Sequence, residues 1–316
     1  GDPKGVMLTH ENFTSLLSNM KAVFDVDEED EFVSVLPLHH TFEFSSGFLL
    51  PLSEGATITY LEELSGEELL EATTENRATA LVGVPALWGL LYRRIRDRIA
   101  ETHPALQWTL ERLQQANAAL RARFGVNLGP VLFGAVHRAL GGRLDYLVSG
   151  GAALPEEILE GFYGLGFDMY EGYGLTEAAP VLTVNRPDGG ITPGTVGEPL
   201  PDIDVAIDDP GEDGVGEVVA SGPNVMEGYL GREDVDDETL RDGWLHTGDL
   251  GRIDEHGNLE IVGREKEVIV TSSGKNVYPD ELEDLYGDHE AIDELSVVGL
   301  PDGDGSERAL GENAEP

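Results

Sequence analysis

Cysteine is absent from all 316 residues, which excludes disulfides, thiolate metal centres and a cysteine nucleophile. Basic charge is scarce: four lysines and sixteen arginines stand against 61 acidic residues, for a formal net charge of −41. The acids are spread along the chain rather than gathered in a tail, so they read as a solvated carboxylate surface of the halophile type. Nucleic acid is thereby excluded as a partner, because phosphate recognition needs a basic footprint. An anionic membrane would be repelled in the same way. No apolar run approaches the length of a membrane span, and no stable membrane insertion is expected. No secretory leader is visible, so the expected location is cytoplasmic. Methionine does not open the chain. Gly1-Asp2-Pro3-Lys4-Gly5 reads as the interior of a loop and 305–316 as a polar, acidic ending, so a piece cut at both ends is expected.

What is present is an ordinary apolar fraction of 40% and a clear alternation of element types. Helical spacing of apolar residues marks 10–24, and short β-prone runs mark 32–38, 56–61 and 79–84, with a helix at 66–76 between the last two. That alternation predicts an α/β fold with parallel sheets and covering helices. Residues 88–124 are long, arginine-rich and amphipathic, and predict a helical pair. A strand at 143–149 and a helix at 155–165 follow. Between 181 and 262 the pattern becomes short strands between turns, predicting a β-rich subdomain with a hairpin turn at 254–258. After Gly263 a strand at 268–271, a helix at 279–285 and a strand at 295–300 read as the start of a small α/β domain. The expected division is therefore a large domain over 1–262 and a truncated small domain over 263–316.

Several strings carry chemistry. Glu171-Gly172-Tyr173-Gly174-Leu175-Thr176-Glu177 offers an aromatic face, a hydroxyl and a carboxylate within a few residues. Tyr173 suits stacking on a base, Thr176 a phosphate oxygen, and Glu177 is a hard ligand for Mg²⁺. Asp242-Gly243-Trp244-Leu245-His246-Thr247-Gly248-Asp249 places the Asp249 carboxylate on a Gly-containing turn suited to two ribose hydroxyls. Arg264, in Ile261-Val262-Gly263-Arg264-Glu265-Lys266-Glu267, is a fork donor for ribose or phosphate oxygens. Ser149-Gly150-Gly151-Ala152-Ala153-Leu154-Pro155 links a strand to a helix with small residues that let backbone approach a flat ligand. Taken alone, it is equally an ordinary strand–helix turn.

Together these strings, in this order and spacing, resemble the adenylate-forming superfamily of acyl-CoA synthetases, luciferases and peptide-synthetase adenylation domains. The resemblance runs from Gly1 to about residue 302. It implies the adenylate-forming fold: a large N-terminal domain of parallel sheets with a β-rich subdomain, then the start of a small α/β domain. It implies that Pro3-Lys4-Gly5 is the tail of a phosphate loop, with Lys4 a cation near ATP phosphates. It maps a family histidine onto His40 in Leu36-Pro37-Leu38-His39-His40, near the acyl and thiol side; a turn histidine bonded to backbone is the other reading. Alternation along a continuing strand would turn His39 away from His40. Gly151 and Ala152 would border the adenine and acyl pocket, with Tyr173, Gly174, Thr176, Asp249 and Arg264 binding nucleotide and Glu177 holding the metal. Lys266 matches the hinge, and Gly274 and Lys275 the glycine turn facing the CoA channel, though Lys275 is equally suited to a surface. The resemblance is strongest to long-chain fatty acyl-CoA ligases, through the 88–124 pair, Gly142-Arg143-Leu144-Asp145-Tyr146-Leu147-Val148-Ser149 and Gly274-Lys275-Asn276-Val277. The implied reaction uses a fatty acid, ATP with Mg²⁺, and CoA. The alternatives are a ligase loading another carboxylic acid onto CoA or a carrier protein, or a truncated nucleotide-binding module. The front of the phosphate loop and the family's late catalytic lysine have no counterpart in these residues.

Overall fold

Seven strands form the main sheet of the computed structural model, in the order Thr57–Tyr60, Glu31–Ser34, Ala80–Gly83, Tyr146–Ser149, Met169–Gly174, Val181–Val184 and Glu198–Pro199. The structure describes residues 4–61, 65–102, 107–187, 191–270, 276–279, 282, 295–301 and 307–313. The first five strands of the sheet are parallel and the last two antiparallel. The α/β expectation is met, with one difference in assignment. The strands at Val181–Val184 and Glu198–Pro199 extend this sheet instead of belonging to the β-rich region.

The period of two along each strand gives the sheet two different faces. Val33, Leu81, Leu147 and Met169 point into an apolar core with Trp88, Leu91 and Phe162. Phe32, Val82, Val148 and Gly172 line a cavity on the opposite face. The core face is covered by Pro85–Thr102, Gln107–Phe124 and Glu156–Leu165, so the long helical pair is present as expected. Trp88 and Phe162 are both 0% exposed and meet edge to face at 6.1 Å. Trp88→Ala is expected to lower unfolding free energy by about 3–5 kcal/mol, as large-to-small core changes do. Urea unfolding of the folded protein would show it.

On the cavity face, His10–Lys21 starts at Thr9, whose hydroxyl accepts from the Asn12 amide while the Asn12 side chain returns the contact. A helix absent from the sequence reading runs through Glu43–Leu49 as a wide π-turn and continues into Leu50–Glu54. The expected strand at 32–38 stops at Ser34. Pro37 lacks an N–H for the ladder, and its carbonyl instead accepts from the His40 amide at 3.0 Å.

Packing gathers the chain into two compact units, Gly1–Ile203 with Gly222–Arg232, and Asp204–Ser221 with Glu233–Pro316. The second unit carries an antiparallel sheet in the order Leu240–Arg241, Trp244–Ile253, Gly216–Ser221 and Asp204–Asp208, with Leu259–Arg264 also pairing Trp244–Ile253. The expected turn at 254–258 joins two of its strands: the Asp254 amide donates to the Asn258 carbonyl at 2.9 Å, and the Asp254 carboxylate accepts from the His256 and Asn258 amides at 2.8 Å each. Beyond it, Ile269–Val270 pairs Asn276–Val277, and Leu295–Pro301 pairs Glu307–Asn313. Most of the helix expected at 279–285 lies outside the described residues.

Candidate active site

In the first unit, the turn after Met169–Gly174 gathers most of the sequence-marked residues. Thr176 opens a short 3₁₀ turn, Thr176–Ala178. A cavity of about 210 Å³ lies on this side of the sheet, with His40, Gly151, Tyr173, Gly174 and Thr176 in its wall. Among the described residues, no lysine, arginine, aspartate or glutamate lines it, and Met20, Phe24, Phe32 and Tyr146 contribute to its wall. Two glycines are needed for this shape. Gly151 has φ of +85°, a left-handed conformation that disfavours a side chain. A Cβ on Gly174 would run into the Pro180 carbonyl. Ala152 is exposed on the same turn and is not among the cavity's lining residues. The turn is held by Glu171, whose carboxylate accepts from the Leu154 amide at 2.9 Å. The sequence string contained Glu171 but gave it no role.

His40 reaches the cavity from the turn after Ser34, and its ring lies 4.4 Å from that of His39. The expectation that the two rings diverge is therefore corrected: the strand does not continue, so alternation does not apply.

Lys4 and Glu177, 173 positions apart in sequence, come together on one phenol. The Lys4 ammonium donates to Tyr229 Oη at 3.1 Å and sits 4.1 Å over its ring. Tyr229 donates to Glu177 Oε1 at 2.6 Å. Tyr229 was missed in the sequence, since only the pairing of Val6–Met7 with Gly228–Tyr229 brings it there. Glu177 and Thr176 are hard oxygen donors beside a lysine cation, which fits a magnesium-bound phosphate.

Glu43 is a further hidden group. Its residue is 0% exposed, and its carboxyl is bonded to the Ser34 hydroxyl. Burial pushes the carboxyl up to about 7, against the pull of Ser34 and the amides of Val35 and Leu36. A carboxyl raised from 4.5 holds its proton longer folded than unfolded. Its stabilisation is complete below pH ~4.5 and fades as pH rises through ~7, by up to about 3 kcal/mol. Glu43→Gln should flatten the dependence of Tm on pH across that window, measured by scanning at steps from pH ~5 to ~8. An unchanged slope removes Glu43 from the titration.

In the second unit, Asp249 lies in Trp244–Ile253 opposite Arg264 in register. The residue is 9% exposed, with Arg264 Nε at 3.2 Å from Oδ1. The Gly-containing turn expected before it is instead an irregularity within this same strand, where the register with Gly216–Ser221 shifts, and it is tied at three points. Thr247 Oγ1 donates to the Val218 carbonyl at 2.8 Å and accepts from the Asp249 amide at 3.1 Å, while Glu217 Oε1 accepts from the Gly248 amide at 3.1 Å. Glu217, like Tyr229, was not marked by the sequence. Asp208, Glu217 and His246 bring three potential metal ligands within 4.8 Å of one another. An Arg241 nitrogen already stands 2.6 Å from His246 Nδ1 and 3.4 Å from Glu217 Oε2, so a guanidinium supplies the positive charge there. Lys266 is exposed in the short turn Glu265–Glu267. Gly274 and Lys275 lie outside the described residues. Among the described residues, no helix is long and apolar enough to cross a membrane.

The AMP-binding enzyme family matches residues 1–230. A long-chain-fatty-acid–CoA ligase of Bacillus subtilis (strain 168) is 33% identical over 312 residues, which is 96% of this chain and 48% of that protein. A feruloyl-CoA synthase of Amycolatopsis sp is 31% identical over 309 residues, covering 96% of this chain and 55% of that protein. Among solved structures, O-succinylbenzoate coenzyme A synthetase (MenE) from Bacillus subtilis, in complex with ATP and magnesium ion, shares the fold at a TM-score of 0.77 and 24% identity, over 98% of this chain and 57% of that one. The chain belongs to the AMP-binding enzyme family, whose fold is that of the adenylate-forming enzymes. It spans about half the length of the curated relatives it matches.

Proposed function

We propose that the protein containing this chain activates a carboxylic acid with ATP and transfers the acyl group to CoA, with a long-chain fatty acid as the acid. One observation carries the reading: Lys4 and Glu177 meet at Tyr229, next to Thr176 in the wall of an uncharged cavity. A carboxylate is a poor electrophile because its charge repels nucleophiles. Its oxygen attacks the α-phosphorus of ATP, the bond to pyrophosphate breaks, and an acyl-adenylate forms. The sulfur of CoA then attacks the acyl carbon, and AMP leaves. Both steps join anions, so positive charge must offset repulsion. Lys4 supplies it at the phosphates, and Mg²⁺, when bound by Glu177 with Thr176 nearby, supplies the rest.

The other proposed roles follow the family resemblance. Tyr173 stacks on adenine, with Gly151 and Ala152 bordering it; Asp249 and Arg264 address the ribose. His40 serves the acyl side. Lys266 is the hinge of a small domain beginning at 263, and Gly274 and Lys275 face the CoA channel. ATP and CoA as substrates are consistent with a cytoplasmic enzyme. The acidic surface extends the proposal to a requirement for high salt, since molar salt shortens the screening length to about 3 Å; a melting temperature that falls between ~0.1 and ~3 M KCl would refute that extension.

A second acid class is favoured by one comparison: a relative of similar identity is named for feruloyl-CoA. Acyl-CoA formation by the full-length enzyme separates the two, with octanoate, palmitate, oleate, ferulate and a dicarboxylic acid as substrates. The expected result is the highest kcat/KM for the long-chain acids and little activity with the dicarboxylate, whose second charge finds no lysine or arginine among the described residues of the cavity wall. Preference for ferulate would replace the fatty acid by an aromatic one. Absence of ATP–pyrophosphate exchange with every acid would overturn the ligase reading.

A further inference from the structure

We propose that Tyr229 is a positioning residue that holds the Lys4 ammonium and the Glu177 carboxylate apart and aligned, and so sets the affinity of this site for a magnesium–nucleotide; this rests on the adenylation reading above. The placement is built by backbone. Val6 pairs Tyr229 and Met7 pairs Gly228 in register. The Leu230 amide donates to the Gly5 carbonyl at 2.8 Å, the Glu227 amide to Met7 at 3.0 Å, and the Met226 amide to the Glu177 carbonyl at 2.8 Å. One short segment therefore fixes the backbone of Glu177 and of Gly5, next to Lys4. Two buried asparagines fasten that segment. Asn12 Nδ2 donates to the Pro223 and Val225 carbonyls at 2.9 and 2.8 Å, and Asn224 Nδ2 donates to Ala178 and Val181 at 2.7 and 3.0 Å.

The phenol oxygen carries one proton and accepting lone pairs, and both are oriented by its neighbours. An ammonium can only donate, so Tyr229 Oη accepts from Lys4; its own proton then goes to Glu177. A lysine and a glutamate in direct contact would neutralise each other and have to be separated before either met a ligand. With the hydroxyl between them, Lys4 keeps N–H groups for phosphate oxygens and Glu177 keeps Oε2 for a hard cation. Tyr229 is 3% exposed, so the spacer itself is rigidly packed while Lys4 is exposed.

Tyr229→Phe in the full-length enzyme removes the hydroxyl and leaves the ring under Lys4, where the cation–ring contact persists. Loss of a charge-assisted hydrogen bond corresponds to roughly a 10- to 30-fold effect. That rise is expected in the Mg²⁺ concentration giving half-maximal ATP–pyrophosphate exchange. A similar rise is expected in the calorimetric Kd of ATP with Mg²⁺, and a smaller one with Mg²⁺ chelated. In the Glu177→Gln background the same change should add little to the Mg²⁺ dependence, because the phenol acts through that carboxylate. A lowered Tm with unchanged Mg²⁺ dependence would make Tyr229 a packing residue and overturn the proposal. So would full additivity with Glu177→Gln. Should Tyr229→Phe behave as wild type while Glu177→Gln is inactive, only the positioning role falls; wild-type enzyme without exchange activity would overturn the adenylation reading itself.

Discussion

Glu177→Gln in the full-length enzyme is expected to lower ATP–pyrophosphate exchange by about 100-fold or more at limiting Mg²⁺, the range seen when one preorganised electrostatic group is removed from a reacting centre. The amide is nearly isosteric and still accepts from the Tyr229 hydroxyl, now 2.6 Å from Oε1. It also retains the backbone tie between the Glu177 carbonyl and the Met226 amide. The fold should therefore survive, with Tm and far-UV circular dichroism close to wild type. What is lost is the negative charge, and a neutral amide oxygen is a weaker ligand for a hard cation than a carboxylate. Raising Mg²⁺ should restore part of the rate. Exchange that is unchanged at limiting Mg²⁺ would remove Glu177 from the site.

Asp249→Ala should weaken ATP and AMP together, by roughly 10- to 100-fold in calorimetric Kd, the worth of a charge-assisted pair of hydrogen bonds. The parallel loss is the diagnostic feature, because both nucleotides carry the same ribose and differ in phosphates. Asp249→Asn keeps one acceptor oxygen and should fall between. The change should not strand a buried charge. Arg264, which lies 3.2 Å from Asp249, has a side chain 68% exposed and can turn to water. Stability should accordingly move little, whereas removal of Glu217, which holds the Gly248 amide, would disturb the shifted register itself. Equal nucleotide affinity in wild type and Asp249→Ala would exclude the ribose role.

Short-range pattern was the part of this protein open to reading in one dimension. The helices at His10–Lys21, Gly66–Glu75 and Glu156–Leu165 carry their period and their ends in consecutive residues; Ser65, for example, accepts from the Glu68 amide at 3.2 Å. The parallel strands were legible as apolar runs for the same reason. The π-turn at Glu43–Leu49 was not, because its wide hydrogen bonding, such as the Leu50 amide to the Ser45 carbonyl, has no distinct sequence period. Val181–Val184 looked like other short strands near it; its place in the main sheet, between Met169–Gly174 and Glu198–Pro199, depends on pairing with both.

The site divides along the same line. Tyr173, Thr176, Glu177 and Asp249 stood out because their chemistry is concentrated in contiguous strings, and strings alone were enough to place the chain in its family. The sequence also settled that these 316 residues offer no cysteine and are strongly acidic, which depends on composition and not on arrangement. Tertiary structure decided which of these residues touch. Lys4 and Tyr229 are 225 positions apart, and Tyr229 and Glu177 are 52 apart; strand register joins them. Burial of Glu43, and with it a carboxyl raised to about 7, follows from packing under the turn that carries His40. Periodicity and residue chemistry are local properties of a chain. Proximity and desolvation depend on which distant segments pack together, and so they exist only once the fold has formed.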